Sequence, residues 1–212
     1  MSYEDGPSRL SYGQIKQAAQ DFLEEIDCND VIPVPVEMIA EYKLKLNIVP
    51  INRLKQDFEI DGFISADFKN LYIDQDSYEK YPTRYNFTIA HEIGHYVLHK
   101  HIFESFKFDS TEEWKSFILN MNDEHRGWFE YQGFSFAGCL LMPSAPLKIA
   151  FNNALNSSIT NISKAKEARI PRATYLEYAL EEIALQIAPQ FEVSLGTALK
   201  RIKNDNLSDL IP

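Results

Sequence analysis

Four of the chain's five histidines, His91, His95, His99 and His101, fall within eleven residues. Inside that cluster His91-Glu92-Ile93-Gly94-His95 has the form H-E-x-x-H. The spacing restricts what this segment can fold into. Residues four apart on an α-helix are offset by about 40° around the axis and one turn along it, so both imidazoles reach a common point. The flanking run Phe87-Thr-Ile-Ala-His-Glu-Ile-Gly-His-Tyr-Val-Leu-His99 is amphipathic at helical spacing, which predicts a helix over Thr83 to Lys100.

Two neutral imidazole nitrogens at this spacing suit Zn2+. Glu92 lies about 100° around the helix from His91. From there it can take the proton of a water attacking a carbonyl and deliver it to a leaving amine. The alternative is a surface helix whose histidines bind nothing. A catalytic zinc site usually takes three protein ligands. His99 sits two turns from His91, about 12 Å along a straight helix and too far for one ion. It and His101 are expected to face solvent or to support the ligands.

The third ligand must therefore come from another element, and Glu130 is the best downstream candidate. It falls on a helix expected over Trp128 to Met142, stopped by Pro143, where it shares a face with Gly133, Ala137 and Leu141. A carboxylate on a face that small and apolar is costly unless paired or bound to metal. The small residues would also let this helix approach the histidine helix closely. The alternative is a first-turn glutamate held by the helix dipole.

The remaining pattern is mostly helical. Ser11 to Ile26 carries Ile15, Ala19, Phe22 and Ile26 on one stripe, with Ser11 and Gln14 at capping-box spacing. Pro35 opens a short helix through Tyr42, Leu46 to Ile51 reads as a strand, and Gly62 to Asp74 as a hairpin turning at Asp67-Phe-Lys-Asn. Ser110 caps a helix through Leu119. The polar, Asn/Ser-rich Asn152 to Ser163 reads as a loop or hinge, followed by helices over Ala173 to Ala188 and from Ser194 to Lys203. Strands early and helices later indicate an α+β fold with a helical C-terminal part.

Charge narrows the function classes. With 21 Lys+Arg and 31 Asp+Glu the net charge is −10, which argues against a general nucleic-acid or anionic-membrane binder. Residues 171–212 alone hold four Lys/Arg and six Asp/Glu, so packing or protein recognition is favoured over DNA reading for the tail. Two cysteines, Cys28 and Cys139, make no disulfide framework. With no apolar signal core or membrane-length run, a cytoplasmic protein is expected.

The pattern from Phe87 to His99, followed by Glu130-x-x-Gly-x-x-Phe-Ala-x-x-Leu-Leu-Met-Pro143, resembles the ImmA/IrrE metallo-endopeptidases. The likeness runs from about Val31 to Pro143 and includes the upstream hairpin. It implies a gluzincin-like zinc peptidase core with a small twisted antiparallel or mixed sheet. His91 and His95 map onto the zinc histidines, Glu130 onto the zinc glutamate and Glu92 onto the general base. Residues 1–150 are expected to form the core, N-terminal helix included, and residues 151–212 a helical region, whose end the resemblance implies is a helix-turn-helix-like tail. It further implies cleavage of a helix-turn-helix repressor in a phage, mobile-element or stress-response circuit.

Two departures stand out. Gly133 and Gly138 replace the family's usual alanines, loosening the Glu130 helix by about 1 kcal/mol each. The stretch between His101 and Glu130 is long and carries Trp114, Phe117 and Trp128, as a lid or as an ordinary buried helix. The oxyanion-stabilising group is left open among His125, in a polar loop, Tyr96 and Tyr131. The leading reading is a zinc endopeptidase whose partner is a protein substrate, a DNA-binding repressor, with no direct nucleic-acid or membrane contact. A non-catalytic partner-binding module with a structural or vestigial metal site is the alternative, and a DNA-binding regulator acting through the tail is a third. The oligomeric state is left open.

Overall fold

The computed structural model describes residues 7–103 and 110–212, apart from the side chains of residues 101 and 111. Helix α1 (Tyr12–Glu25) starts where the sequence places it. Ser11 caps it, with both halves of the capping box formed with Gln14. Its buried stripe of Ile15, Ala19, Phe22 and Leu23 packs into the core. The short α2 (Val36–Met38) continues as a π-turn (Ile39–Lys43).

Three strands follow: β1 (Asn47–Ile51), β2 (Gly62–Ile64) and β3 (Asn70–Asp74), with the one-turn helix α3 (Leu54–Phe58) between the first two. They form a mixed sheet ordered β1-β3-β2. β1 runs parallel to β3 from Asn47 opposite Asn70 to Ile51 opposite Asp74, and β2 is antiparallel to β3. β1 and β2 are therefore the two edge strands, with β3 between them. Asp61 and Ser65 bond back to β3, through Asp74 N–H to Asp61 O at 3.0 Å and Ser65 N–H to Asn70 O at 2.9 Å. By the alternation of an antiparallel pair, Gly62 and Ile64 turn their backbone polar groups the other way.

Helix α4 (Gln75–Lys80) leads into α5 (Pro82–Leu98), the histidine helix, which begins on Pro82. Then come α6 (Lys100–Phe103), α7 (Thr111–Asn120) and α8 (Asp123–Leu141). Helices α5 and α8 pack face to face at the centre of the molecule, and α1 lies against α8. Glycines allow this approach: a Cβ on Gly94 would sit 3.1 Å from Cβ of Phe136.

Two expectations are corrected here. Asn152 to Ser163 is no loop, because α9 (Ser144–Glu167) runs unbroken through it. Leu147, Ala150, Phe151, Ala154, Ser158 and Ile162 form its buried stripe, and the Asn and Ser residues mostly cover the outer face. Residues 122–126 are likewise no loop. The Asn122 side chain accepts the His125 N–H at 2.8 Å and caps α8 five residues before the expected start.

The C-terminal part comprises α10 (Arg172–Ile187), a 3-10 turn (Ala188–Phe191), α11 (Leu195–Asn204) and a last turn (Leu207–Leu210). Arg201 of α11 is 3% exposed and ties this part to α1 and α8. It donates to Met142 O at 3.3 Å and to the Tyr12 hydroxyl at 2.6 Å, and it pairs with Asp205, which also accepts from Lys16 at 2.7 Å. The fold is α+β, with a small mixed sheet and a helical C-terminal part. Among the described residues no single helix is long and apolar enough to cross a membrane; α8 and α9 together reach that length and composition across a 66° bend.

Candidate metal centre

The centre of α5 is buried almost all round, from Thr88 to His95. On one side lies β2, so close that a Cβ on Gly62 would fall 2.6 Å from the Thr88 methyl. On the other lies α8. Between them His91 and His95 turn their Nε2 atoms together, 2.9 Å apart. Glu130 projects from α8 to the same point, with Oε2 3.3 Å from His91 Nε2. The three ligand-type atoms lie within 4.8 Å of one another.

This donor set fits zinc. Four ligands at about 2.0–2.1 Å around a tetrahedral ion stand roughly 3.3 Å apart, close to the observed spacing. Gly133, one turn after Glu130, faces the two rings. A Cβ there would lie 2.8 Å from His91 Cε1 and 2.9 Å from His95 Nε2. In this chain α8 and the two rings are closed up on the bare glycine, leaving no room for a methyl without a shift of the rings or of α8. The early start of α8 also places Glu130 two turns inside the helix, which removes the first-turn dipole reading.

Electrostatics separates the two histidines. Burial and the neighbouring His91 and His99 hold His95 well below the usual imidazole range, so it is neutral. Burial also opposes charge on His91, but Glu130, Glu92 and Asp61 outweigh it and raise its affinity for a proton. Glu92 is 3% exposed. Burial and the Glu130 carboxylate push its carboxyl up to about 7, against the pull of His91 and a hydrogen bond from the Ile64 backbone. The outward-turned N–H of the edge strand thus orients Glu92.

A cleft of about 920 Å³ opens over these groups. Gly62 and Asp61 line one wall, Trp114 and Ile118 of α7 another, and Phe87 and Phe134 a third. The Phe134 ring lies 4.4 Å from that of His91 and is 46% exposed. Helix α7 is the ordinary packed helix of the two readings: Phe117 sits in the core and Trp114 lines the cleft.

The structure places the other named residues elsewhere. His99 is buried at 1% exposure rather than solvent-facing, because it stacks on Phe129 of α8 at 4.5 Å. The His101 side chain lies outside the described residues. His125 is in the first turn of α8, Tyr96 packs on Phe68 at 5.1 Å, and Tyr131 packs on Trp128 at 5.5 Å. None of these three is among the residues lining the cleft. Sequence reasoning missed Phe134 and the Ile64 N–H. A backbone donor leaves no residue-type signal, and Phe134 acquires its role only through helix-to-helix packing.

A peptidase family model described as the IrrE N-terminal-like domain matches residues 47–203, about three quarters of the chain. The match spans the sheet, the histidine helix, α8 and the helices through α11. No curated protein matches significantly.

Proposed function

The chain belongs to the IrrE N-terminal-like peptidase family, and on that premise we propose that it is a zinc-dependent endopeptidase that cuts a regulatory protein, a helix-turn-helix repressor of a phage, mobile-element or stress circuit. The convergence of His91 Nε2, His95 Nε2 and Glu130 Oε2 beside a buried Glu92 at a cleft carries the reading. These three residues would hold the ion. Zinc would supply Lewis acidity, polarising the scissile carbonyl and lowering the pKa of water.

The chain's own groups account for the rest. Asp61 and Gly62 at the start of β2 line the cleft, so an extended substrate can lie along that end of the strand while the Ile64 N–H holds Glu92. Glu92 takes a proton as the water oxygen attacks the carbonyl carbon. It returns that proton to the leaving nitrogen as the C–N bond breaks. A carboxyl buried at the cleft and held by the Ile64 N–H is placed to serve both steps. Phe87, Phe134 and Trp114 give the cleft apolar walls for substrate side chains. The net charge of −10 suits an enzyme whose target, rather than itself, holds DNA.

Co-expression with a repressor encoded beside this chain tests the proposal. Wild type should release a repressor fragment, and Glu92→Gln should keep its zinc and release none. A variant that cuts at the wild-type rate would remove Glu92 from the reaction. Purified wild type that takes up no zinc would favour the non-catalytic module instead.

A further inference from the structure

The chain as a whole has 31 Asp+Glu against 21 Lys+Arg, yet the walls of the cleft reverse that balance. Apart from Glu92 and Glu130 at the metal centre, the charged residues lining it are Lys55, Arg84, Lys115 and Arg126 against Glu59 and Asp61. The two lysines are engaged. Lys55 holds Asp61 at 2.7 Å, and Lys115 is turned onto Phe58, with Nζ 3.4 Å from its carbonyl oxygen and 5.5 Å from its ring centroid.

The two arginines are free to take a ligand. Among the described residues Arg84 pairs with no carboxylate, and its guanidinium lies 5.4 Å from the exposed Tyr81 ring. It sits in the first turn of α5, the end at which the helix dipole disfavours a cation, so helix stability does not explain it. Arg126 pairs with Asp123, whose side chain is 94% exposed. A surface pair of that kind is worth little against a competing carboxylate.

These arginines stand at opposite ends of the metal centre. The His91 ring lies 4.4 Å from that of Phe134 and the His95 ring 4.0 Å from that of Phe129, so α5 and α8 run antiparallel. Arg84 precedes His91 by seven residues, about 10 Å along α5. Arg126 precedes Glu130 by four, about 6 Å along α8 in the opposite direction. An extended peptide rises about 3.3 Å per residue and covers that span in about five residues.

We propose that this cleft selects acidic substrate segments. Arg84 takes a carboxylate about three residues to one side of the scissile bond, and Arg126 takes one about two residues to the other. Selection at these two ends presupposes the peptidase reading above and names the chemistry of its substrate. A guanidinium suits the task, because its planar fork matches a carboxylate bidentately. The cut is thereby directed to an acidic stretch of the target and away from the basic surface with which a repressor holds DNA.

Fluorescence anisotropy with labelled nonapeptides tests this. Each carries Phe-Leu at its centre, with Glu, Gln or Lys at the second and third positions on the amino side, the carboxyl side or both. Zinc-loaded Glu92→Gln protein serves as the binder, so that the peptides stay whole. At low salt each acidic side should tighten binding about fivefold over its Gln counterpart, the upper end for a solvent-accessible ion pair. Salt at about 0.5 M should remove most of that gain. Arg84→Glu should lose the gain on one side and Arg126→Glu on the other, and each should favour Lys on the side it has lost. No measurable binding, equal affinity for Glu and Gln peptides, or variants that alter both sides alike would overturn the proposal. So would a single-stranded oligonucleotide of similar length that binds more tightly than the doubly acidic peptide, which would assign the arginines to phosphate. Zinc-loaded wild type that cuts the peptides without preference would overturn the selection and leave the peptidase reading standing. Acidic preference in binding without any cutting by wild type would support the selection and count against the peptidase reading.

Discussion

Replacing Gly133 by alanine sets helix propensity against packing at the metal centre. In the sequence the glycine only loosens the helix, so alanine should stabilise by about 0.4–1 kcal/mol, partly by restricting the unfolded chain. In the structure the new methyl would meet His91 Cε1 at 2.8 Å and His95 Nε2 at 2.9 Å. Carbon atoms prefer roughly 3.5–4.0 Å, so both rings must retreat by several tenths of an ångström or α8 must move out. Overpacking of this kind costs about 1–3 kcal/mol. Gly138 provides the control, because a Cβ there meets nothing within 4 Å. Propensity cancels between Gly133→Ala and Gly138→Ala, leaving the clash. For a chain of this size the unfolding midpoints should differ by roughly 2–12 °C, with Gly138→Ala the higher. Calorimetry of metal-free protein reads the midpoints, and chelator competition reads zinc affinity, which should fall for Gly133→Ala alone. If both variants rise equally in midpoint and keep their affinity, the close approach of α8 to the histidines is wrong.

Glu130→Gln removes a ligand rather than a support, so zinc affinity in the same competition assay should drop by more than the roughly 10–100-fold typical of outer partners. A smaller loss would take Glu130 out of the ligand set. Asp205→Asn leaves buried Arg201 without its carboxylate and should cost about 3 kcal/mol at pH 7, read by urea unfolding. Burial raises the affinity of Asp205 for a proton, but Arg201, Lys16 and Tyr12 outweigh it and hold the carboxyl below its ordinary range. Its contribution is therefore present above about pH 4 and is lost as pH falls through the depressed value, so the gap between wild type and variant should narrow in acid. A gap independent of pH would exclude this ion pair as its source.

Local signals were readable wherever a short stretch of chain decides its own structure. The Ser11–Gln14 capping box, the hairpin around Asp67 and the helical spacing of His91 and His95 all belong to this class. The stripe from Leu147 to Ile162 was equally present in the sequence, but its polar outer face, rich in Asn and Ser, suggested a break that the buried face overrides. Asn122 capped α8 ahead of the expected start, which moved Glu130 from a helix end to its interior. What could not be read depends on pairs of elements. That His99 is buried follows from Phe129 on α8, and the Ile64 N–H reaches Glu92 only because β2 is an edge strand lying on α5. The glycine at 133 showed in the sequence as a weakness of its own helix, and its use appears only with the facing helix in place.

The central claim is that α5 and α8 together hold one zinc ion, and a crystal structure of the zinc-loaded protein with anomalous scattering at the zinc edge tests it most directly. The account predicts a single strong peak about 2.0–2.2 Å from Nε2 of His91, Nε2 of His95 and a carboxylate oxygen of Glu130. A peak ligated by other residues, or none between these two helices, would contradict it.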